Sequence, residues 1–211
     1  MEFRTIKEDG QVQEEIKKSR FICHSKRVYS EEEARAFITA IKKEHYKATH
    51  NCSAFIIGER SEIKRTSDDG EPSGTAGAPM LGVLENHNLT NVCVVVTRYF
   101  GGIKLGAGGL IRAYAGSVAL AVKEIGIVEI KEQAGIQIQM SYAQYQEYGN
   151  FLKEHNLMEL ETNFTDQVDT IIFVDKEDKE DTKAALIEFF NGKVILTDQG
   201  LREVEVPVNL A

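Results

Sequence analysis

Apolar residues in the opening stretch are broken up by charged ones. Val12, Ile16, Phe21 and Cys23 are separated by Glu, Lys and Arg, and Glu8-Asp9-Gly10 supplies a turn, so the first thirty residues read as strands. The period then changes. Ala34, Phe37, Ile38 and Ile41 recur at helical spacing behind Ser30 and Glu33, the pair of a capping box, which predicts a helix to about Tyr46. Residues 52–58 (CSAFIIG) form a short apolar run and read as a strand. Residues 66–79 are turn formers almost throughout, and a short helix over 80–84, starting as early as Thr75, follows them. Residues 92–97 (VCVVVT) are nearly all β-branched with both faces apolar, which predicts a central strand covered by helix on at least one face. After the glycine-rich run 101–109 (GGIKLGAGG), Leu110, Ile111, Tyr114, Ala115, Val118, Ala119 and Val122 make a wide apolar stripe. This is the strongest buried-helix pattern in the chain, with Gly126 as its stop and 127–130 as a strand.

The second half repeats an order of its own. Ile136, Ile138 and Met140 alternate with polar residues, so one face of that strand is wet. A helix over 143–155, strands over 157–162 and 167–174, a helix over 179–190 and a last strand over 203–208 complete βαββαβ, the ferredoxin-like arrangement. The acidic run 175–181 (DKEDKED) lacks the central glycine of a calcium loop and suits a helix start, where the macrodipole favours negative charge.

Charge divides the chain in the same place. Residues 1–132 carry 19 Lys+Arg and 18 Asp+Glu, a net of +1, whereas residues 133–211 carry 6 and 15, a net of −9. The expectation is therefore an α+β protein of two domains, 1–132 and 135–211. With 42% hydrophobic and 27% charged residues, the composition is that of a globular chain, not of a disordered, collagen-like or coiled-coil one. No apolar run is long enough to span a membrane, the N-terminal residues lack the apolar core of a signal peptide, and three scattered cysteines make no disulfide framework. These features together indicate a cytoplasmic protein with reduced thiols and no membrane partner.

The chemistry concentrates between Arg65 and Tyr114. Gly101 and Gly106 have the spacing of a phosphate-binding loop, but Ala107-Gly108 stands where Lys and Ser/Thr are needed. A dinucleotide fingerprint from Gly106 would need glycine where Ile111 stands. What remains is a glycine-rich turn feeding a helix N-terminus, able to hold a phosphate or carboxylate on backbone N–H groups, or simply a tight strand–helix connection. Asp68, Asp69 and Glu71 offer three carboxylates that suit either acid–base or metal chemistry or ordinary turn formation. His50 and Cys52 share a strand face, a spacing that permits a Cys–His pair or a core cysteine. No spacing for a metal site or nucleophile elbow occurs, so no cofactor, metal or catalytic residue is assigned. Lys17, Lys18, Arg20, Lys26 and Arg27, then Lys42, Lys43 and Lys47, with Tyr29, Tyr99 and Phe100 among them, suit a nucleic-acid backbone or a charged soluble surface.

Two strings carry a resemblance: RTSDDGEPSGTAGAPM at 65–80 and VVVTRYFGGIKLGAGGLIRAY at 94–114. They resemble the signature of the IMPACT family in its bacterial, YigZ-like branch. The resemblance implies an N-terminal domain similar to the second domain of a small-subunit ribosomal protein and to domain IV of the translocating elongation factor, with a left-handed βαβ crossover. It implies a C-terminal domain similar to domain V of that factor. Eukaryotic relatives are implicated in translation control through a ribosome-associated activator of a stress kinase, partly by way of a different N-terminal domain, so that partner does not carry over. The resulting expectation is a non-enzymatic, translation-linked regulatory protein that binds RNA, the ribosome or a ribosome-associated factor. The binding residues would be Arg65, Asp68, Asp69, Gly70, Glu71, Ser73, Thr75, Arg98, Tyr99, Phe100, Gly101, Gly102, Lys104, Gly106, Gly108, Gly109 and Arg112. The competing expectation is a small hydrolase or ligand-binding enzyme working through Asp68, Asp69 and Glu71.

Overall fold

The computed structural model describes residues 2–209, which fall into two compact units: residues up to Ile130 together with the segment from Glu205 onward, and Lys131–Val204. The fold class is α+β. In chain order the elements are β1 (Phe3–Ile6), β2 (Gly10–Ile16), β3 (Ser19–Arg27), α1 (Glu31–Glu44), β4 (His50–Ile57), β5 (Ile63–Ser67), α2 (Gly77–Asn86), β6 (Val92–Tyr99), α3 (Ala107–Ile125), β7 (Ile127–Met140), α4 (Tyr142–Glu154), β8 (Glu159–Phe164), β9 (Val168–Val174), α5 (Lys179–Phe189) and β10 (Ile195–Val208).

The first unit is built on an antiparallel sheet of order β2-β3-β6-β4-β5. The β-branched run of β6 sits at its centre and is covered on both faces, which is why neither face carries a polar stripe. On one face Val92, Val94 and Val96 meet Phe21, Cys23, Cys52, Ala54 and Ile56, roofed by Met80 and Leu84 of α2 and Leu110, Tyr114 and Val118 of α3. On the other, Cys93 and Val95 pack with Phe55, Ile57, Ala34 and Ile41 under α1. Ser30 caps α1 by accepting from the Glu33 N–H at 3.1 Å, while the Glu33 carboxylate reaches one residue further back, to the Tyr29 N–H at 2.7 Å. Gly106 (φ 74°) opens α3 and Gly126 (φ 86°) ends it, its N–H bonded to the Val122 carbonyl at 2.9 Å. Arg27 ties in the returning chain, pairing its two terminal guanidinium nitrogens, Nη1 and Nη2, with Glu205 at 2.6 and 2.9 Å.

In the second unit the strands run β10-β7-β9-β8, with Ile136, Ile138, Met140, Val168, Ile172 and Val174 packed against Tyr148, Phe151 and Leu186 of the two helices. Two corrections to the sequence reading stand out. The strands expected at 127–130 and 136–140 are one continuous strand, β7, whose first residues pair with β1 and whose later ones pair with β9, with Lys131 and Gln133 bonded to Asp175 between them. Strand β5 was not expected. It is a mostly exposed edge whose residues carry no apolar alternation.

A buried polar row lies under the end of α1. His24 Nε2 is 3.3 Å from Thr97 Oγ1, which donates to Asn51 Oδ1 at 2.7 Å, and the His24 and His45 rings are 5.0 Å apart. Burial holds the His24 imidazole down at about 4; His45 pushes the same way and Glu44 opposes. The unfolded chain binds a proton near 6.5 and the folded chain only near 4, so stability falls as pH drops through that window. Between about pH 7 and about pH 4.5 the expected loss from this group is about 2–3 kcal/mol. Thermal melts of the wild type and His24→Gln across that range check it. A variant with undiminished pH dependence would remove His24 as the cause.

Candidate functional site

The glycine-rich turn and the acidic loop converge on the end of the central strand. Asp68 is the organiser of the acidic loop. Its carboxylate accepts from the backbone N–H groups of Gly74 (2.9 Å), Ala76 (3.1 Å) and Gly77 (2.8 Å), so it braces the entry of α2, which has no side-chain cap of its own. Burial pushes this carboxyl up, and the three N–H bonds outweigh that and hold it below the ordinary value. Asp69, in the left-handed region at φ 42°, accepts from the Asn51 N–H at 2.7 Å and from Lys42 Nζ at 2.6 Å. His50 Nδ1 meets the Asp69 carbonyl at 2.9 Å and the Cys52 thiol donates to the Asp68 carbonyl at 3.0 Å, so both side chains bond to the loop and not to each other. Burial pushes the Cys52 thiol up to about 12, which keeps it protonated and poorly nucleophilic.

Glu71 turns inward. Its Oε1 accepts from Arg98 Nη1 and from the Tyr114 hydroxyl, both at 2.7 Å, and its Oε2 lies 3.6 Å from His50 Nε2. Both charged side chains are buried, Glu71 at 3% and Arg98 at 6% exposure. Arg98 Nη2 also donates to Ser19 Oγ at 3.4 Å, and the guanidinium lies between the rings of Phe21 (5.5 Å) and Phe100 (5.4 Å). Arg98 is therefore a buried strut joining the loop to the central strand, and not the exposed binding residue expected from the resemblance. Tyr99 is likewise occupied: its hydroxyl meets His45 Nδ1 at 2.9 Å and Arg20 stacks on its ring at 4.4 Å. Thr75 is buried and donates to the Pro72 carbonyl, and Ser73 and Gly70 lie exposed along the loop. Arg65 does not join the cluster. It sits on β5 and pairs with Glu31 of α1 at 3.1 Å.

The outward rim belongs to the glycine-rich turn. Phe100 and Ile103 are about half exposed, and Gly102, Lys104, Gly106, Gly108 and Arg112 are exposed. Gly109 packs beneath, where a Cβ would touch the Leu105 side chain. Gly101 has a harder constraint: a Cβ there would lie 1.8 Å from the Lys18 carbonyl oxygen. Sequence reasoning missed Ser19 and Tyr114 as members of this assembly. The available signal was slight: Tyr114 is a hydroxyl-bearing residue in an apolar helical stripe and Ser19 a small polar residue among lysines and arginine, and their partners are 79 residues (Ser19) and 43 residues (Tyr114) away.

A family model described as "Impact N-terminal domain" matches residues 17–122, and one described as "Domain of unknown function (DUF1949)" matches residues 138–193. An IMPACT family member from Bacillus subtilis, YvyE, is 45% identical over 205 residues, covering 97% of this chain and 94% of its own. A protein IMPACT homolog from Schizosaccharomyces pombe is 38% identical over 94 residues, 43% of this chain and 33% of its own. A solved structure titled as that of a hypothetical protein aligns with a TM-score of 0.59 at 32% identity, covering 92% of this chain and 96% of the other.

Proposed function

Because this chain belongs to the IMPACT family, we propose that it is a non-enzymatic, translation-linked regulatory binding protein of the cytoplasm, docking on RNA, on the ribosome or on a ribosome-associated factor through the glycine-rich turn. The observation that carries this reading is how the site's polar groups are used. The carboxylates of Asp68, Asp69 and Glu71 accept bonds from their own chain and hold the loop in shape. The surface left to a partner is the cationic and apolar rim of Phe100, Ile103, Lys104 and Arg112, beside an α3 N-terminus without a side-chain cap. That rim suits an anionic partner with flat apolar groups, which describes RNA.

Lys104→Glu is expected to weaken co-sedimentation with ribosomes or RNA several-fold and to leave the melting temperature nearly unchanged, since an exposed lysine contributes little to folding. Binding should fall steeply with salt, because displaced counterions drive it. Salt-independent association, or an unaffected Lys104→Glu protein, would turn the reading toward glycines that serve only a tight turn and close helix packing.

A further inference from the structure

Resting on the reading above, we propose that the partner is single-stranded RNA and that the tip of the β2–β3 hairpin, Lys17-Lys18, contacts its phosphates beside a base-stacking platform at Phe100. Ile16 stands opposite Ser19 in the β2–β3 register, so the hairpin turns on two residues. Lys17 (φ 45°) and Lys18 (φ 63°) both occupy the left-handed region. That turn favours Asn-Gly, because each ordinary side chain is strained there. Two consecutive lysines are held in that strain with their side chains exposed, a feature that typically accompanies function.

The tip is also fixed in place. The Lys18 carbonyl abuts Gly101 so closely that no side chain fits between them, and Ser19 Oγ accepts from the Gly101 N–H at 3.3 Å. Hairpin tip and glycine-rich turn therefore present one surface. On it, Phe100 is 46% exposed, with the Arg98 guanidinium 5.4 Å from its ring centre and its own N–H bonded to Thr49 Oγ1 at 3.0 Å. A ring held in this way stacks on a base whose face is free. Bases in a duplex are stacked on one another, so the ring selects unpaired strands. The two lysines and Lys104 supply charge to follow the backbone.

The test is fluorescence anisotropy of a short labelled oligouridylate and of an RNA duplex of equal length, across a salt series. The oligouridylate should bind at least about tenfold tighter than the duplex. Lys17→Asn with Lys18→Gly should raise the melting temperature by about 2–4 °C, since the turn is relieved of strain. The same double variant should weaken oligouridylate binding and flatten its log–log salt slope by about 1.4. Phe100→Ala should lose about tenfold in affinity with the slope unchanged. A double variant with wild-type affinity and slope overturns the role of the hairpin, and equal affinity for duplex and single strand overturns the choice of partner. Either result is separable from the proposed function, which Lys104→Glu tests independently in ribosome co-sedimentation. Failure of the wild type to bind either RNA overturns this inference and the RNA form of that function together.

Discussion

Glu71→Ala is expected to lower the melting temperature by about 6–20 °C. The carboxylate it removes is the buried counter-charge of Arg98 and the acceptor of the Tyr114 hydroxyl. Taking away one partner of a buried ion pair leaves the other charge desolvated and uncompensated, a loss of about 3–5 kcal/mol, and in a chain of this size each kcal/mol moves the melting temperature about 2–4 °C. The effect should be specific to the unpaired charge. Tyr114→Phe removes a single hydrogen bond and should lose only about 1–1.5 kcal/mol. Replacing both charges together, as Glu71→Leu with Arg98→Met, should be less destabilising than Glu71→Ala alone, because no isolated ion remains. Equal melting temperatures for the wild type and Glu71→Ala would show that the 68–75 loop is not held by this strut.

Gly101→Ala is the second large effect, expected to destabilise the first unit by about 3 kcal/mol, near the upper end for added bulk in a packed site. The added methyl group would meet the Lys18 carbonyl oxygen at 1.8 Å and its carbon at 2.1 Å, and backbone cannot rotate aside as a side-chain tip can. Relief requires the hairpin tip and the turn to move apart, so RNA association should fall with stability. Gly102→Ala is the matched control. Gly102 faces open space but has φ +87°, so its replacement should lose only about 1–2 kcal/mol through backbone strain. Denaturant melts of the two variants decide the matter; equal losses would mean that the contact with Lys18 relaxes freely.

Local pattern alone determined most of the elements. The Ser30 cap, the β-branched run of β6, the apolar stripe from Leu110 and the Gly126 stop are each decided within a few residues, by capping bonds, side-chain branching and period. The same holds for the βαββαβ order of the second unit, whose alternating strands and amphipathic helices state which face is buried. The glycine-rich turn and the acidic loop were also legible as the chemically dense part of the chain, because such runs of glycine and turn formers are unusual. Only tertiary structure decided what those residues do. A charged residue in a sequence reads as available to a partner, yet Arg98 is sealed between Phe21 and Phe100 and bound to Glu71, which lies 27 residues earlier in the chain. Asp68 reads as a candidate acid or metal ligand, yet three backbone N–H groups claim it. The edge strand β5 and the unbroken β7 escaped notice because pairing and cross-strand bonds, not hydrophobic period, create them. The docking of Gly101 against Lys18, which places the two lysines beside the turn, is a contact of backbone with backbone, and no side-chain pattern encodes it.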